Sequence, residues 1–387
     1  MSSIKHKIKM IAYRCLHSFI SLVCPVKKKK MLCRSFLGLS YSDNPRAISE
    51  KMHELDPDWE IVWVFKEPEK KKTVIPSYVK CISGKSLAFI YHQATSGFWI
   101  DNYCLPPETI KRKEQTYIQT WHGDRGMKKI LADMCADSDS MNLYESEHCD
   151  LAIAGSKFGE NTYRSAFKYT GEILSVGCPK NDVLVNGNSE DVYSFRQRYN
   201  IPSDVKILLF APTFRDDNSG IRQFVDELDM GKVLKALEKT TGHNWIVLSR
   251  GHTGRHLDFI KDDTVTVIDV TDYEDSNIVL LSSDAVISDY SSIPADFALL
   301  GRPVYFFAND IEEYSKNCRS LQFKFEETPF WYAYNQEELI HLIEKTTTEN
   351  AKEQCKAILD FYETHESGKA SLAVCNYMAG RIQSSGT

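Results

Sequence analysis

The sequence predicts an α/β protein of two doubly wound domains, each a parallel sheet with helices on both faces. Three observations predict this class. Apolar strand-like segments alternate with helical segments along most of the chain. A polar stretch at 186–191 divides the alternation into two sets. The 387 residues exceed what one ordinary core accommodates, so two domains are expected.

The first set of elements runs from residue 31 to residue 176. Its first helix has a clear start signal, because Asp43 or Asn44 suits the N-cap and Pro45 suits the first helical position. The predicted strands are Met31–Leu37, Glu60–Phe65, Phe98–Asn102, Thr116–Thr120, Leu151–Ala154 and Ile173–Val176. The predicted helices are Pro45–Leu55, Ser86–Gln93 and Lys157–Phe167.

The second set repeats the same alternation. Its predicted strands are Ile207–Ala211, Trp245–Ser249, Val265–Ile268, Ala285–Ser288 and Val304–Phe307. Its predicted helices are Phe224–Lys239, Asp275–Leu281 and Pro294–Leu300, followed by helices only from Gln336 to about Gln383. Ligands of such sheets bind beyond the carboxyl ends of the strands, so a cleft between two facing sheets is the expected site.

Composition is that of a soluble globular protein, with 42% hydrophobic and 26% charged residues. Eleven cysteines without a C-x-x-C pair argue against a disulfide framework or a zinc ribbon and indicate a reducing compartment. The uncharged run from Cys15 to Val26 is shorter than the roughly 20 residues that a membrane span needs.

Charge is distributed unevenly along the chain. Residues 1–42 carry nine Lys and Arg and no acid, whereas the rest carries 38 basic and 53 acidic residues. A basic end on an acidic body indicates contact with nucleic acid or with an anionic membrane. We predict the membrane, through residues 1–30, and no nucleic acid.

A helical wheel of this segment supports the membrane. One face carries Ile4, Ile8, Ile11, Cys15, Phe19 and Leu22, and another carries Lys7, Arg14, His17 and Ser21. This pattern is typical of a helix in the membrane interface, with the run Lys27–Lys30 adding charge. The alternative is an amphipathic helix docked on the protein's own core.

Five predicted strand ends carry polar motifs, and one of them resembles an anion site. The motifs are "QTWHGDRGMKKI" at 119–130, "GCPKNDVL" at 177–184, "FAPTFRDD" at 210–217, "LSRGHT" at 248–253 and "ISDYSSIPADFALLGRPV" at 287–304. In the last, Asp289 precedes Ser291 and Ser292, and Pro294 opens a helix. Two hydroxyls and backbone N–H groups there suit an anion, while simple helix capping by a serine is the alternative.

Three cationic side chains follow neighbouring strands of the second set. Arg215, Arg250 and His252 could each belong to a surface ion pair or a loop. Their agreement with the serine motif favours a phosphate site, since arginine suits phosphate and no Walker A or G-x-G-x-x-G loop is present.

His122 is the candidate general base. It lies at a strand end of the first set, and Gly123 and Gly126 allow a close approach of backbone to ligand. A structural histidine is the alternative. No metal site is predicted, because Asp137–Asp139 follows no apolar strand and fits a solvated turn.

Taken in order, the motifs resemble the CDP-glycerol glycerophosphotransferases, the teichoic-acid primases and polymerases of Gram-positive bacteria. The likeness runs from about Pro25 to Phe330 and adds "PVKKKK", "SYSDNPRAI", "GSKFGENTYRSAF" and "CRSLQFKFEE" to the motifs above. The resemblance implies a GT-B-like fold, with two facing Rossmann-like domains. The first domain would receive the acceptor, and the second would hold the CDP-alcohol.

The resemblance also implies roles for individual residues. His122 and His252 are expected to be catalytic. The CDP-alcohol side is expected to comprise Arg215, Arg250, Ser291, Ser292 and Asp289, with Asp289 orienting its loop. The acceptor side or its loops are expected to comprise Trp121, Gly123, Arg125, Lys128, Asn181 and Asp182. The family commonly reads H-G-T-P-x-K, and the Asp124-Arg125-Gly126 found here concerns the acceptor rather than the chemistry.

The predicted activity is transfer of a polyol phosphate from CDP-glycerol or CDP-ribitol to a lipid-linked glycan acceptor. CMP is released at the cytoplasmic face of the plasma membrane, in teichoic-acid or capsule synthesis, without a cofactor. Glycerol is favoured and ribitol is the alternative. A sugar-nucleotide glycosyltransferase or epimerase would carry a donor-sugar glutamate before Pro303, which is absent. A membrane-surface scaffold on a degenerate fold would not need both histidines.

The predicted domains are a membrane-surface segment at 1–30, an acceptor domain at 31–187 and a CDP-alcohol domain at 188–370. A C-terminal helix at 371–387 is expected to pack back on the first domain.

Overall fold

The chain folds as two parallel sheets with helices on both faces, so the predicted class is confirmed. The structure is a computed structural model that describes residues 2–134, 143–213, 215, 227–251 and 265–384. None of the described helices is both long enough and apolar enough to cross a bilayer.

The first sheet has seven strands, in the order β3-β2-β1-β4-β5-β6-β7, and all neighbours are parallel. The strands are β1 Lys27–Arg34, β2 Glu60–Phe65, β3 Val79–Ser83, β4 Ser96–Asp101, β5 Thr116–Gln119, β6 Leu151–Ala154 and β7 Glu172–Ser175. The helices are α1 Ser2–Val23, α2 Asp43–Leu55, α3 Leu87–Thr95, α4 Tyr144–His148, α5 Lys157–Ser165 and α6 Asp182–Asn186.

Side chains alternate between the two faces of this sheet. Met31 and Cys33 pack with α2 on one face, whereas Leu32 packs with Val62 and Val64 on the other. Near-continuous apolar strands are what a sheet covered on both faces requires. Strand β3 was not predicted, because its sequence "VKCIS" contains an exposed lysine and is short.

The second sheet has six parallel strands, in the order β10-β9-β8-β11-β12-β13. The strands are β8 Lys206–Ala211, β9 Trp245–Ser249, β10 Val267–Asp269, β11 Ala285–Ser288, β12 Val304–Phe307 and β13 Tyr332–Ala333. The helices are α7 Ser189–Arg198, α8 Met230–Thr241, α9 Ser276–Ser282, α10 Ile293–Phe297, α11 Ile311–Asn317, α12 Gln336–Lys345, α13 Thr348–Phe361 and α14 Ala370–Ser384.

Helix α8 begins at Met230, and the first residues of the predicted helix, 224–226, lie outside the described residues. Asp229 is its N-cap, and the carboxylate accepts a hydrogen bond from Lys232 N. Aspartate is a strong N-cap, which explains the start at Met230. Strand β13 was also missed, since it has only two residues.

Strand β1 begins four residues before the predicted start and takes in the lysine run assigned to segment 1–30. Lys27 forms an ion pair with Glu60. Lys30 is fully buried, and its Nζ donates to Thr95 Oγ1. The first sheet therefore includes the chain from Lys27 onward. Lys27 and Lys30 belong to strand β1 because Glu60 neutralises Lys27 and Thr95 accepts a hydrogen bond from Lys30.

The C-terminal helix α14 returns to the first domain. Val374, Cys375 and Met378 are buried in the same cluster as Ile48 and Met52 of α2. The chain therefore crosses between the domains twice, once before α7 and once before α14.

Candidate active site

His122 lies just beyond strand β5 and is held by the neighbouring strand β4. Its Nδ1 is 2.6 Å from the carbonyl oxygen of Asn102. A carbonyl can only accept, so Nδ1 carries the hydrogen and donates it. In the neutral ring the lone pair then resides on Nε2. His122 is thus held in the tautomer that a general base at Nε2 requires.

Aromatic rings hold the imidazole in place. Tyr103 stacks on it with ring centroids 5.5 Å apart and an interplanar angle of 2°. Trp121 lies at 4.1 Å, and Phe36 meets the ring edge at 5.3 Å. Packing of this kind fixes the rotamer, which a positioned base needs.

The backbone on both sides of this histidine is strained. Trp121 has φ 48°, and Phe36 and Leu37 have φ 46° and 57°. Left-handed backbone costs about 1–2 kcal/mol per non-glycine residue and is concentrated at functional sites. Gln119 Oε1 accepts from Trp121 N, and Asn44 Nδ2 donates to Trp121 O, which holds the turn.

The serine motif of the second domain faces this loop. A Cβ built on Gly123 would lie 3.6 Å from Ser292 Oγ, so these two segments of the chain are nearly in contact. Ser292 is the N-cap of α10 but makes no side-chain capping bond, whereas Ser291 Oγ accepts from Ile293 N. The predicted base and the predicted serine pair are therefore brought together across the domain boundary.

Arg215, which was predicted to bind the CDP-alcohol, is held by carboxylates of its own domain. Its side chain is 2% exposed and pairs with Asp310 and Asp289. Burial alone would lower the pKa of Arg215, but these two carboxylates raise it. The Asp289 carboxylate also accepts from Thr213 N and Tyr290 N. Arg215 is a brace for this loop, because a carboxylate from the neighbouring strand end neutralises it.

Arg250 is also tied to the protein. Its Nη1 donates to the carbonyl oxygens of Val270 and Tyr273, and burial lowers its pKa. Arg250 directly follows β9, at its carboxyl end. His252 lies outside the described residues, so its role stays a prediction.

A buried ionic cluster joins the two domains. Arg125 Nη2 donates to Asp296 at 2.6 Å and to Glu366 at 2.9 Å. Asn181 Nδ2 bridges the same two carboxylates. Burial would raise the pKa of Asp296, but Lys180 and Arg125 lower it to about 2. Arg125 and Asn181 are thus buried and paired, and their predicted place on the acceptor side stays a prediction.

Lys180 connects this cluster to the histidine loop and was not predicted. Its Nζ donates to His122 O at 3.3 Å and lies 3.0 Å from Asp296 Oδ2 and 3.6 Å from Asp43 Oδ2. Burial lowers and the two carboxylates raise the pKa of Lys180, with a net rise. Lys180 lies in the motif "GCPKNDVL", of which only Asn181 and Asp182 were predicted to belong to the site.

Two further acceptor-side predictions have different outcomes. Lys128 reaches the second domain, where residues 127–129 bond to Ser320 and Gln322 and bridge to Leu321. Burial lowers the pKa of Lys128 to about 8, although Asp289 opposes this shift. Asp182 instead caps α14, because its carboxylate accepts from Ala370 N and Ser371 N.

A cavity of about 1230 Å³ opens beside this site, at the carboxyl ends of β8 and β12. Among its described lining residues, carboxylates outnumber cations. The acids are Glu227, Asp310, Glu312, Glu313, Glu326 and Glu327, and the cations are Arg215 and Lys324. Such a lining disfavours a diphosphate but leaves room for a nucleoside. Within the described ranges, no group of three potential ligands could hold a metal ion, and Asp137–Asp139 lies outside them.

Comparison with known proteins gives one consistent family. The model of the family described as "CDP-Glycerol:Poly(glycerophosphate) glycerophosphotransferase" matches residues 16–380. The teichoic acid poly(glycerol phosphate) polymerase of Bacillus subtilis is 32% identical over 97% of this chain and 52% of its own length. The teichoic acid glycerol-phosphate transferase of Staphylococcus aureus is 29% identical over 96% of this chain and 98% of its own. The chain spans about half the length of the two polymerases that it matches at 32% identity.

Solved structures give the same result. The wall teichoic acid polymerase TagF superimposes with a TM-score of 0.80 at 28% identity, covering 99% of this chain and 97% of that one. A variant of TagF soaked with CDPG superimposes with a TM-score of 0.79 at 27% identity, covering 100% and 98%.

Proposed function

Because the chain belongs to the CDP-glycerol:poly(glycerophosphate) glycerophosphotransferase family, we propose that it transfers glycerol phosphate from CDP-glycerol to an acceptor hydroxyl. CMP is the second product, and the acceptor is a lipid-linked glycan in teichoic-acid-like or capsular polymer synthesis. Relatives at 32% identity are named for glycerol phosphate, which favours CDP-glycerol over CDP-ribitol. The observation that carries the proposal is the close approach of the loop of His122 to the serine motif, where a Cβ built on Gly123 would lie 3.6 Å from Ser292 Oγ.

In the proposed reaction, His122 Nε2 takes the proton of the acceptor hydroxyl. The oxygen attacks the glycerol-bearing phosphorus, and the bond from that phosphorus to the oxygen of CMP breaks. CMP leaves with the electron pair of that bond. Asn102 stabilises the imidazolium, because its carbonyl accepts from Nδ1–H throughout.

The diphosphate of bound CDP-glycerol, and with it the phosphate of the leaving CMP, is assigned to the second domain. Ser291 and Ser292 supply hydroxyls, and Arg250 and His252 supply positive charge. Such transfer depends mostly on positioning and on electrostatic stabilisation, so these groups suffice. Arg215 takes the supporting role of fixing Asp289, and Lys128 brings a cation from the first domain to the same strand ends.

Helix α1 supports placement at a membrane surface. Tyr13, His17 and Ile20 face the protein, so His17 does not belong to the solvent face. The opposite stripe is exposed, with Ile11 at 62% and Leu22 at 85%. The other exposed apolar residues of this stripe are Ile8, Phe19 and Val23, and exposed cations are Lys7, Lys9 and Arg14.

An unpartnered apolar stripe bordered by cations fits an anionic membrane interface. Peripheral attachment at the cytoplasmic face would place the active site beside a lipid-linked acceptor. Phe19→Glu should reduce sedimentation with anionic vesicles, whereas Ser18→Glu adds the same charge on an exposed polar position and should reduce it less. Equal loss in both variants would contradict the role of the stripe.

Product analysis tests the transferase proposal itself. CDP-glycerol, CDP-ribitol and a UDP-sugar are each incubated with the protein and a glycerol phosphate-terminated acceptor, and nucleotide release is quantified. We expect CMP from CDP-glycerol, less from CDP-ribitol and no UDP from the UDP-sugar. Release of UDP without CMP would contradict the proposal and indicate a glycosyltransferase instead.

A further inference from the structure

A second cavity lies between α1 and the carboxyl ends of β1, β2 and β3. It has a volume of about 370 Å³, within the range of about 300–1,000 Å³ of small-molecule sites. Its wall is mainly carbon, from Met10, Leu37, Val64, Phe65, Phe89 and Leu105. An apolar ligand segment is therefore the expected occupant of its interior.

Three cations also line this cavity. Arg34 Nε donates to Asp101 Oδ2, but Arg34 Nη2 is buried and has no hydrogen-bond partner among the described residues. Lys66 and Lys85 are exposed and form no ion pair within the described ranges. Arg34 is already paired with Asp101 and its Nη2 is shielded from solvent, so Lys66 and Lys85 are the cations of this cavity that remain for an anion.

Negative charge in this cavity is sparse. Glu108 is the one carboxylate among its lining residues, against three cations. The cavity thus combines an apolar interior with a cationic rim, which is the complement of an amphiphile that carries a phosphate.

Two segments that line or border this cavity also contact His122. Leu37 lines the cavity, and the preceding Phe36 contacts the His122 ring. Arg34 pairs with Asp101, and the following Asn102 accepts from His122 Nδ1. The segments 34–37 and 101–102 therefore lie between this cavity and the candidate base.

Helix α1 forms the outer wall. Met10 and Tyr13 line the cavity, while the neighbouring Ile8 and Ile11 belong to the exposed apolar stripe. Tyr13 OH also donates to Gln93 Oε1, which anchors the helix over the cavity. The cavity thus lies on the protein side of α1, whose opposite side carries the apolar stripe assigned to the membrane.

We propose that this cavity holds the lipid phosphate of the acceptor, with the phosphate on Lys66 and Lys85 and the first part of the hydrocarbon chain inside. The proposal rests on the proposed function, because it names a binding site for the acceptor of that reaction. The remaining chain continues along α1 into the membrane, and the glycan extends past Phe36 toward His122.

Calorimetric titration of the full chain with farnesyl phosphate, below its micelle concentration, tests this site. The test variant is Lys66→Glu/Lys85→Glu, and the matched control is Lys72→Glu/Lys80→Glu, which changes two exposed lysines outside the cavity by the same charge. We expect the test variant to raise the Kd at least about tenfold and the control to change it less than about twofold. Equal Kd values in the two variants would overturn the proposal.

Two further ligands separate the parts of the site. Farnesol lacks the phosphate, and glycerol 3-phosphate lacks the chain, so each should bind more weakly than farnesyl phosphate. Glycerol 3-phosphate binding as tightly as farnesyl phosphate would reduce the cavity to an anion site and overturn the lipid assignment.

Turnover distinguishes this proposal from the proposed function. With a lipid-free acceptor, Lys66→Glu/Lys85→Glu should release CMP at the wild-type rate, and with a farnesyl-linked acceptor its KM should rise while kcat stays near wild type. No CMP release by the wild type with any acceptor would contradict the transferase, whereas the farnesyl phosphate titration would still decide the cavity.

Discussion

Polar side chains follow strands of both sheets, but the two sheets use them differently. At the end of strand β5 in the first sheet, the Asn102 carbonyl and the aromatic rings fix the orientation of the His122 imidazole. In the second sheet, Arg215 is neutralised by Asp289 and Asp310 and supports the loop. A charged side chain at a strand end therefore supports the loop where a neighbouring strand end supplies an opposite charge, and it can bind a ligand where none is supplied. Variants can distinguish these two roles.

The largest expected effect follows removal of the base. His122→Ala should lower kcat for CMP release by about 10²–10⁴, the usual contribution of a general base, while the Kd for CDP-glycerol stays near wild type. His148→Ala is the matched control, since His148 is a partly exposed histidine of the same domain outside the site. Retention of most of the rate by His122→Ala would make this histidine structural.

Arg125 gives the next largest effect, on stability instead of chemistry. Arg125→Ala leaves Asp296 and Glu366 buried without their arginine, which typically costs about 3–5 kcal/mol. Chemical denaturation should show this loss, and Arg164→Ala, at an exposed arginine, should show little. A variant with wild-type stability and impaired acceptor KM would support the acceptor role predicted from the sequence.

The fold could be predicted from the sequence because its signals are local. Strand periodicity is read within a few residues, and five strands, among them Glu60–Phe65 and Val304–Phe307, have the predicted bounds. Gly123 and Ser292 also lie in short motifs at strand ends. These features need no knowledge of distant residues.

The partners of buried charges could not be read in this way. Asp310 lies 95 residues from Arg215, and Glu366 lies 241 residues from Arg125. Only the fold places them together, so Arg215, Arg125 and Asn181 were predicted as ligands. The same reason explains Lys30, whose burial depends on Thr95.

The two arginines of the second sheet give a direct test of brace against ligand. Arg215→Lys cannot keep the paired contacts to Asp310, so it should lower stability by about 2 kcal/mol, with a proportionate loss of folded protein. Arg250→Lys should raise the KM for CDP-glycerol about tenfold with a small change in thermal unfolding. The reverse pattern would exchange their roles.

The last effect concerns the pH dependence of the interdomain cluster. The pKa of Asp296 is about 2 in the folded protein, below its value of about 3.9 in an unfolded chain. Ionised Asp296 therefore contributes stability at pH values above about 4, and this contribution is lost as the pH falls toward 2. About two pKa units correspond to roughly 2–3 kcal/mol at most.

Asp296→Asn isolates this contribution, because asparagine keeps the shape and cannot titrate. The variant should be less stable than wild type at pH 6, and the difference in free energy of unfolding should narrow between pH 4 and pH 2. Asp182→Asn is the control, since Asp182 accepts only backbone N–H groups at the start of α14. A difference that stays constant down to pH 2 would show that the charge of Asp296 does not hold the domains together. The brace would then depend on the hydrogen bonds of Arg125 and Asn181 alone.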